Sequence, residues 1–387
     1  MRLAIIADWL VTFGGAEHAL AEFRVLWPSA PIFTTVVARK HIGPLKDADI
    51  RTTRLQRLYQ IIGNHQFLLP LMPRAIEDSD LRGFDVILSS SHAVAKGIVP
   101  PSTAVHICYC HTPMRYGWEM EEAYLEDFHV PRFLRGHLKE HLKKLRRWDL
   151  TTAKRVDHFI ANSTETRERI ARIYARDSVV IPPPVDERFF KEPLKADSCQ
   201  LTAPRQNNVA QQQHERSYYV AVGRLVPYKR FDLLIETANA LKLPLKIAGV
   251  GRELQRLKKR AGPTVQFLGH VDDENLPTLY LGATALLFPQ HEDAGIVPLE
   301  AQACGTPVIA FERGGVRDSV IDGTTGVTFS EQTVDALRDA LKRFKSIEWN
   351  RAIIQEHARK FSQENFRRRM KEEVEQCTTT MHIGTSP

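Results

Sequence analysis

Cysteine is scarce in this 387-residue chain, with five residues scattered at Cys108, Cys110, Cys199, Cys304 and Cys377. An odd, unpatterned set makes no disulfide framework, and no pair has the C-x2-C spacing of a zinc site. Cys108 and Cys110 alternate along an apolar run, where buried free thiols are common. Long apolar runs are also missing. No stretch approaches the ~20 residues needed to cross a bilayer. The amino-terminal run Met1–Ala7 is cut off by Asp8. It is too short for a signal-peptide core and reads as a first buried strand, so a cytoplasmic location is expected. No G-x-G-x-x-G follows that strand, which argues against a dinucleotide-dependent dehydrogenase. No basic-aromatic recognition motif is present either, so nucleic acid is not an expected partner.

Hydrophobic residues make up 43% and charged residues 26%, proportions that fit a globular protein and neither disorder nor a coiled coil. The net charge of +7 points to an anionic partner without choosing one. Short β-rich runs alternate with helical patterns, the mark of βαβ units and parallel sheets. The expected strands in the first half are 3–7, 32–36, 86–89, 105–110 and 158–161, with helices at 16–26 and 164–174 and Ser163 capping the latter. A polar stretch with Asn207-Asn208 and Gln211-Gln212-Gln213 breaks the rhythm. A second series then begins, with strands at 218–222, 245–248, 265–268, 285–288 and 308–310, and helices at 231–241, 252–260, 297–304 and 333–344. The fold class expected is α/β, with two Rossmann-like parallel-sheet domains facing a central cleft. Its parts are a domain over 1–190, a linker over 191–216, a second domain over 217–365, and a carboxy-terminal helix and tail over 366–387. Ligands of such sheets lie at the carboxyl ends of the strands.

Three motifs stand at those ends. Gly14-Gly15-Ala16-Glu17 follows the first strand and opens a helix; paired glycines admit close backbone approach, and free amides suit an anion. A tight strand-to-helix turn explains the pair equally well. Gly223-Arg224-Leu225-Val226-Pro227-Tyr228-Lys229 follows the first strand of the second half. Arg224 offers a bidentate fork and Lys229 a point charge, a pair suited to a departing diphosphate, although a solvated basic turn has the same composition. The third motif is His291-Glu292-Asp293-Ala294-Gly295-Ile296-Val297-Pro298-Leu299-Glu300. Gly295 allows close approach, the amides of Gly295, Ile296 and Val297 open a helix toward an anion, and Glu292 and Glu300 bracket about two turns. Acids near a helix start also simply complement its dipole.

The E-x7-E segment, the Gly-Arg-x4-Lys segment and the Gly-Gly loop resemble, in order and spacing, the retaining family-four glycosyltransferases of GT-B fold, over nearly the whole chain. His111-Thr112-Pro113-Met114-Arg115, Ala161-Asn162-Ser163 and Ile181-Pro182-Pro183-Pro184-Val185-Asp186 look like the mannosyltransferases of O-antigen and exopolysaccharide assembly. The resemblance implies transfer of a sugar, favouring mannose from GDP-mannose, to a lipid-diphosphate-linked saccharide, with the donor in the second half and the acceptor in the first. It implies that Glu300 holds the ribose, Glu292 contacts the transferred sugar, and Arg224 and Lys229 grip the diphosphate. By the same token Gly15 approaches the phosphate or acceptor, and His111 sits beside the anomeric centre. Ala294 stands where many relatives carry Phe, which alters the shape of the sugar pocket. The alternatives are a UDP- or dTDP-sugar donor, or a nucleotide- or sugar-binding module without catalysis.

No cofactor or metal is expected. The two Asp-x-Asp strings, Asp47-Ala48-Asp49 and Asp78-Ser79-Asp80, follow no convincing strand and read as surface-loop acids. Residues 132–149 form a basic amphipathic pattern, with Phe133, Leu134, Leu138, Leu142, Leu145 and Trp148 on one side and Arg135, Lys139, Lys143, Lys144 and Arg147 among the basic remainder. Such a helix suits an anionic membrane surface and a lipid diphosphate, giving a peripheral position at the inner face of the membrane. It equally suits packing on a core with a solvated charged face.

Overall fold

The structure, a computed structural model, describes residues 1–118, 132–191 and 217–384, with no side-chain description at 116, 132–139 and 380–384. The chain divides into two compact units, Met1–Pro184 with Phe366–Pro387, and Val185–Asn365. Apart from Lys191, the expected linker lies outside the described residues. None of the described helices is long and apolar enough to cross a membrane.

The first unit holds seven strands, β1 (Leu3–Ala7), β2 (Ile32–Thr34), β3 (Ile50–Thr52), β4 (Val86–Ser91), β5 (Val105–Cys110), β6 (His158–Ala161) and β7 (Val179–Val180). They lie in the order β3-β2-β1-β4-β5-β6-β7, every pairing parallel. Strand β1, Leu-Ala-Ile-Ile-Ala, is buried along its whole length, as a parallel strand covered on both faces must be. Successive side chains point to opposite faces. Leu3, Ile5 and Ala7 therefore join one core with Phe23, Phe366, Met370 and Val374, while Ala4 and Ile6 join another with Phe33, Ile87 and Leu142. Helix Gly15–Leu26 starts with Glu17 reaching back to accept the Gly14 N–H at 3.0 Å, which satisfies one of the orphan amides of a helix start. Ser163 accepts from the Thr166 amide at 3.0 Å and caps Thr164–Tyr174.

The second unit holds β8 (Tyr218–Val222), β9 (Leu245–Ala248), β10 (Val265–Gly269), β11 (Ala283–Phe288), β12 (Val308–Phe311) and β13 (Gly326–Phe329), in the all-parallel order β10-β9-β8-β11-β12-β13. Its two faces are covered in the same alternating way. Tyr219, Ala221, Ile247 and Leu287 pack with helices Phe231–Leu241 and Val334–Lys345, and Val220, Leu286 and Val308 pack with helix Ile296–Ala303. The sequence pattern omits β3, β7 and β13, which are short or half-exposed edge elements, and helices Leu55–Ile62, Met72–Glu77 and Arg351–Arg359.

Candidate active site

In the second unit the strand order reverses between β8 and β11, so the loops leaving these two neighbours part company and leave room for a ligand beyond their carboxyl ends. Gly223 follows β8 with φ 149°, and a Cβ there would lie 3.0 Å from Lys229 Nζ. Gly249 follows β9, and a Cβ on it would lie 1.9 Å from the Gly223 carbonyl oxygen, so the two loops pass in backbone contact. Lys229 ends the short helical turn Pro227–Lys229; its side chain is only 9% exposed and its Nζ lies 2.7 Å from Glu292 Oε1. Arg224 is exposed, and its guanidinium makes no ion pair or hydrogen bond among the described residues. Arg230 is tied down instead. It donates to Gln332 at 3.2 Å, and Gln332 donates to the Pro289 carbonyl at 2.6 Å, bracing the start of the β11 loop.

That loop is clamped from the other side. The Gly315 N–H donates to the Glu292 carbonyl at 2.9 Å, and Glu292 pairs with Gly314 as an isolated parallel bridge. A Cβ on Gly314 would meet the Glu292 carbonyl at 2.0 Å, and one on Gly315 the Ala294 carbonyl at 2.1 Å, so this Gly-Gly pair after β12 holds the acidic loop in place. Nothing in the E-x7-E pattern announces it. Gly295 then adopts φ 65° as the N-cap of helix Ile296–Ala303 and brings no side-chain cap. The amides of Ile296 and Val297 therefore keep the anion-binding character of a helix start.

Glu300 lies in the second turn of that helix and accepts from the Tyr280 hydroxyl at 3.0 Å. Burial pushes its carboxyl up to about 7; Asp273 and Asp186 add to the rise, while the Tyr280 hydrogen bond and Arg188 oppose it. Arg188 is itself held by Asp186 at 2.8 Å and Asp273 at 3.7 Å. A raised carboxylate stabilises the fold below its ordinary value of 4.5, and that stability is lost as pH rises through about 7. Glu300→Gln should therefore flatten the fall in melting temperature between pH 5 and 8; an unchanged slope would contradict the assignment.

In the first unit the order reverses between β1 and β4, and the residues just beyond those strands form a cluster the sequence pattern did not single out. Asp8, fully buried, accepts from the backbone amides of His92 at 2.6 Å, Ala93 at 3.1 Å, Val94 at 2.5 Å and Ala95 at 2.5 Å, and from His92 Nδ1 at 2.8 Å. Burial alone would raise Asp8, but His92 and the amides outweigh it and hold the carboxyl low. Burial likewise opposes charge on His92, and Asp8 and then Glu17 overcome it and raise the imidazole. The Trp9 ring packs on His92 and His65. His111, just past β5, shares a hydrogen bond with Ser90 Oγ at 2.8 Å and packs edge-on against Tyr109 and His92. Gly15 is the first residue of its helix, and a Cβ there would meet nothing within 4 Å, so it faces open space.

Helix Arg132–Ala153 is present, longer than expected. The side chains of Arg135 and Lys139 lie outside the described residues. Lys143, Lys144 and Arg147 are exposed, with Lys143 3.4 Å from Glu140. The described part of the apolar stripe packs inward. Leu142 is buried, Leu145 and Trp148 lean on the same core, and Trp148 donates to Glu77 at 3.0 Å. A buried pair of Lys96 with Asp149 at 2.6 Å, joined by Tyr174 and Trp118 at 2.8 Å each, fixes the helix further. The acids of the Asp-x-Asp strings are exposed, with Asp49 paired to Arg51 at 2.9 Å and Asp80 to Arg82 at 2.6 Å.

Comparison with known proteins follows this division. The model for Glycosyltransferase Family 4 matches residues 13–189, and that for Glycosyl transferases group 1 matches residues 204–364. A D-inositol 3-phosphate glycosyltransferase of Xylanimonas cellulosilytica is 29% identical over 218 residues, 52% of this chain and 52% of the relative. A GDP-mannose-dependent alpha-(1-6)-phosphatidylinositol monomannoside mannosyltransferase of Mycolicibacterium smegmatis is 32% identical over 200 residues, 46% of this chain and 50% of the relative. The chain thus spans about half the length of the curated relatives it matches. Among solved structures, Anabaena Alr3699/HepE in complex with UDP superposes with a TM-score of 0.66 at 17% identity, covering 97% of this chain and all of that one. With one glycosyltransferase model on each parallel sheet and together most of its length matched, the chain has the GT-B fold of the group 1 / family 4 glycosyltransferases.

Proposed function

We propose that the protein is a retaining hexosyltransferase moving mannose from GDP-mannose to a lipid-diphosphate-linked saccharide in cell-surface polysaccharide assembly. The observation that carries the transferase reading is the Lys229–Glu292 pair beside the uncapped start of helix Ile296–Ala303, beyond the carboxyl ends of β8 and β11. A cation and a row of amides meet a diphosphate there, and a carboxylate meets sugar hydroxyls. The bond from the anomeric carbon to the diphosphate oxygen breaks, and the acceptor oxygen bonds on the same face. The acceptor proton passes to the leaving phosphate, whose charge Lys229 and Arg224 stabilise. Glu300 holds the ribose hydroxyls. The mannose reading draws on the Mycolicibacterium relative named above; the UDP complex of the Anabaena protein favours a UDP-sugar as the second reading. Release of nucleoside diphosphate from GDP-mannose, UDP-glucose and a dTDP-sugar, measured with and without a lipid-linked acceptor, separates the two. Acceptor-dependent turnover with none of the donors would contradict both.

A peripheral position on an anionic membrane has its support on the first unit. Helix Leu55–Ile62 and the helical turn His65–Leu71 leave Ile61 83%, Phe67 63% and Leu71 50% exposed, with Leu58 and Ile62 beside them. Arg51, Arg54 and Arg74 line the adjoining hollow with Leu55, Pro70 and Leu71, and Lys144 lines the next one with Leu69, Pro70 and Trp148. Apolar side chains entering the headgroup layer and arginines over anionic lipid act together. Losing two large apolar anchors, in Ile61→Ser with Phe67→Ser, should weaken binding to phosphatidylglycerol-containing vesicles by at least about 10-fold. Cosedimentation unchanged by the pair of substitutions would contradict this surface.

A further inference from the structure

In the first unit, away from the strand ends described above, three side chains converge that the transferase reading does not use. His158 opens β6, and Glu373 and Cys377 lie one turn apart on helix Gln363–Gly384. The imidazole nitrogen, a Glu373 carboxylate oxygen and the Cys377 sulfur all lie within 4.8 Å of one another. His158 Nε2 and Glu373 Oε1 are 2.7 Å apart. Among the described residues, this is the group of histidine, cysteine and acid gathered closely enough to share one ion.

We propose that His158, Glu373 and Cys377 bind a zinc-class divalent ion that fastens the last helix to β6. The donor set makes the choice of ion. Nitrogen, oxygen and sulfur together suit a borderline-soft tetrahedral ion, whereas magnesium and calcium take oxygen alone. Ligands about 2.0–2.3 Å from zinc stand roughly 3.3–3.8 Å apart in a tetrahedron. The three atoms therefore reach that arrangement by side-chain rotation, the Nε2–Oε1 separation widening and the sulfur closing in. The remaining position falls to water.

The frame behind the three ligands is already set. Phe366, Met370 and Val374 of the helix are buried in the core, and Arg369 donates to the Val180 carbonyl at 2.6 Å. The i, i+4 spacing puts Glu373 and Cys377 on one face. The charge surroundings favour a cation. Glu373 and Asp157 place negative charge beside Cys377. Arg176 donates to the backbone carbonyls of Ala153 and Asp157. Binding of the ion replaces the thiol proton by a metal–sulfur bond, and one proton leaves for solvent. His158 and Glu373 keep side-chain exposures of 29% and 16%, so an ion can enter from solvent.

The test is titration of the chelator-treated full chain with cobalt(II), followed by zinc. One equivalent of cobalt should produce a thiolate-to-cobalt charge-transfer band with tetrahedral visible bands. Zinc should bleach both and raise the melting temperature. Cys377→Ser should lose the charge-transfer band, and His158→Ala the tetrahedral spectrum. A wild-type spectrum of hydrated cobalt only, or a charge-transfer band that persists in Cys377→Ser, overturns the site. The wild-type spectrum decides the matter even where a variant fails to fold, and it is independent of which sugar the enzyme transfers.

Discussion

Lys229→Ala is expected to lower kcat by about 10²- to 10³-fold, the loss typical of removing one preorganised donor to a developing oxyanion. The side chain is nearly buried and is aimed by its 2.7 Å contact with Glu292. Arg230, next in sequence, is committed to Gln332. If, as proposed, the charge it answers grows as the diphosphate leaves, the effect belongs to turnover more than to donor KM. Glu292→Gln keeps the shape while removing the partner charge and should cost a comparable factor. The two residues touch, so the double variant should fall well short of the product of the single effects. Multiplicative losses would mean that the pair does not act as a unit. Wild-type activity in Lys229→Ala would remove it from the chemistry altogether.

Asp8→Asn is the substitution expected to cost most in stability. Asp8, itself fully buried, accepts five hydrogen bonds from one loop and its histidine. Removing one partner of a buried pair strands the other, which typically costs about 3–5 kcal/mol. In a unit of this size that corresponds to a melting temperature lower by roughly 10 °C. The pH profile carries the same signature. Asp8, depressed, contributes stability above its ordinary value of 3.8 and loses it as pH falls through the folded value. His92, raised, contributes below 6.5 and loses it as pH rises through its own. The pair should thus contribute its full stability between about pH 4 and 6.5, and Asp8→Asn should lack that contribution. Calorimetry of both proteins across that range checks it; a shift of only a degree or so would show the pair to be dispensable. Since His92 packs against His111 and acts on Glu17, the variant should also disturb the Gly-Gly loop and the histidine past β5.

Much of this architecture is readable without coordinates. A short apolar run such as Leu-Ala-Ile-Ile-Ala fits a buried parallel strand, and the glycine-bearing turn after it marks its ligand end. Residues close in sequence, such as Gly295 with Ile296 and Val297, show their geometry directly. Pairings that depend on sheet order do not show. Asp8 and His92 are 84 residues apart and meet because β1 lies beside β4. Gly314 and Gly315 clamp Glu292 because β12 lies beside β11. The basic helix was ambiguous for another reason. Its apolar stripe has the same period whether it meets lipid or a core, and only Leu142, Leu145 and Trp148 seated on the first unit show where the described part goes. The exposed Ile61 and Phe67 leave no trace in the pattern, since exposure is a property of the packed chain.

The central claim is that the second unit holds a nucleoside diphosphate against Lys229, the helix start at Gly295 and Glu300. The most direct measurement is thermal stability of the wild type and Glu300→Ala against GDP, UDP, dTDP, ADP and NAD. A nucleotide that binds only the folded state adds ~2.7 kcal/mol at a hundredfold excess over its Kd. GDP should raise the wild-type melting temperature, and Glu300→Ala should lose most of that rise, whereas stabilisation of the wild type by none of the five would contradict the account.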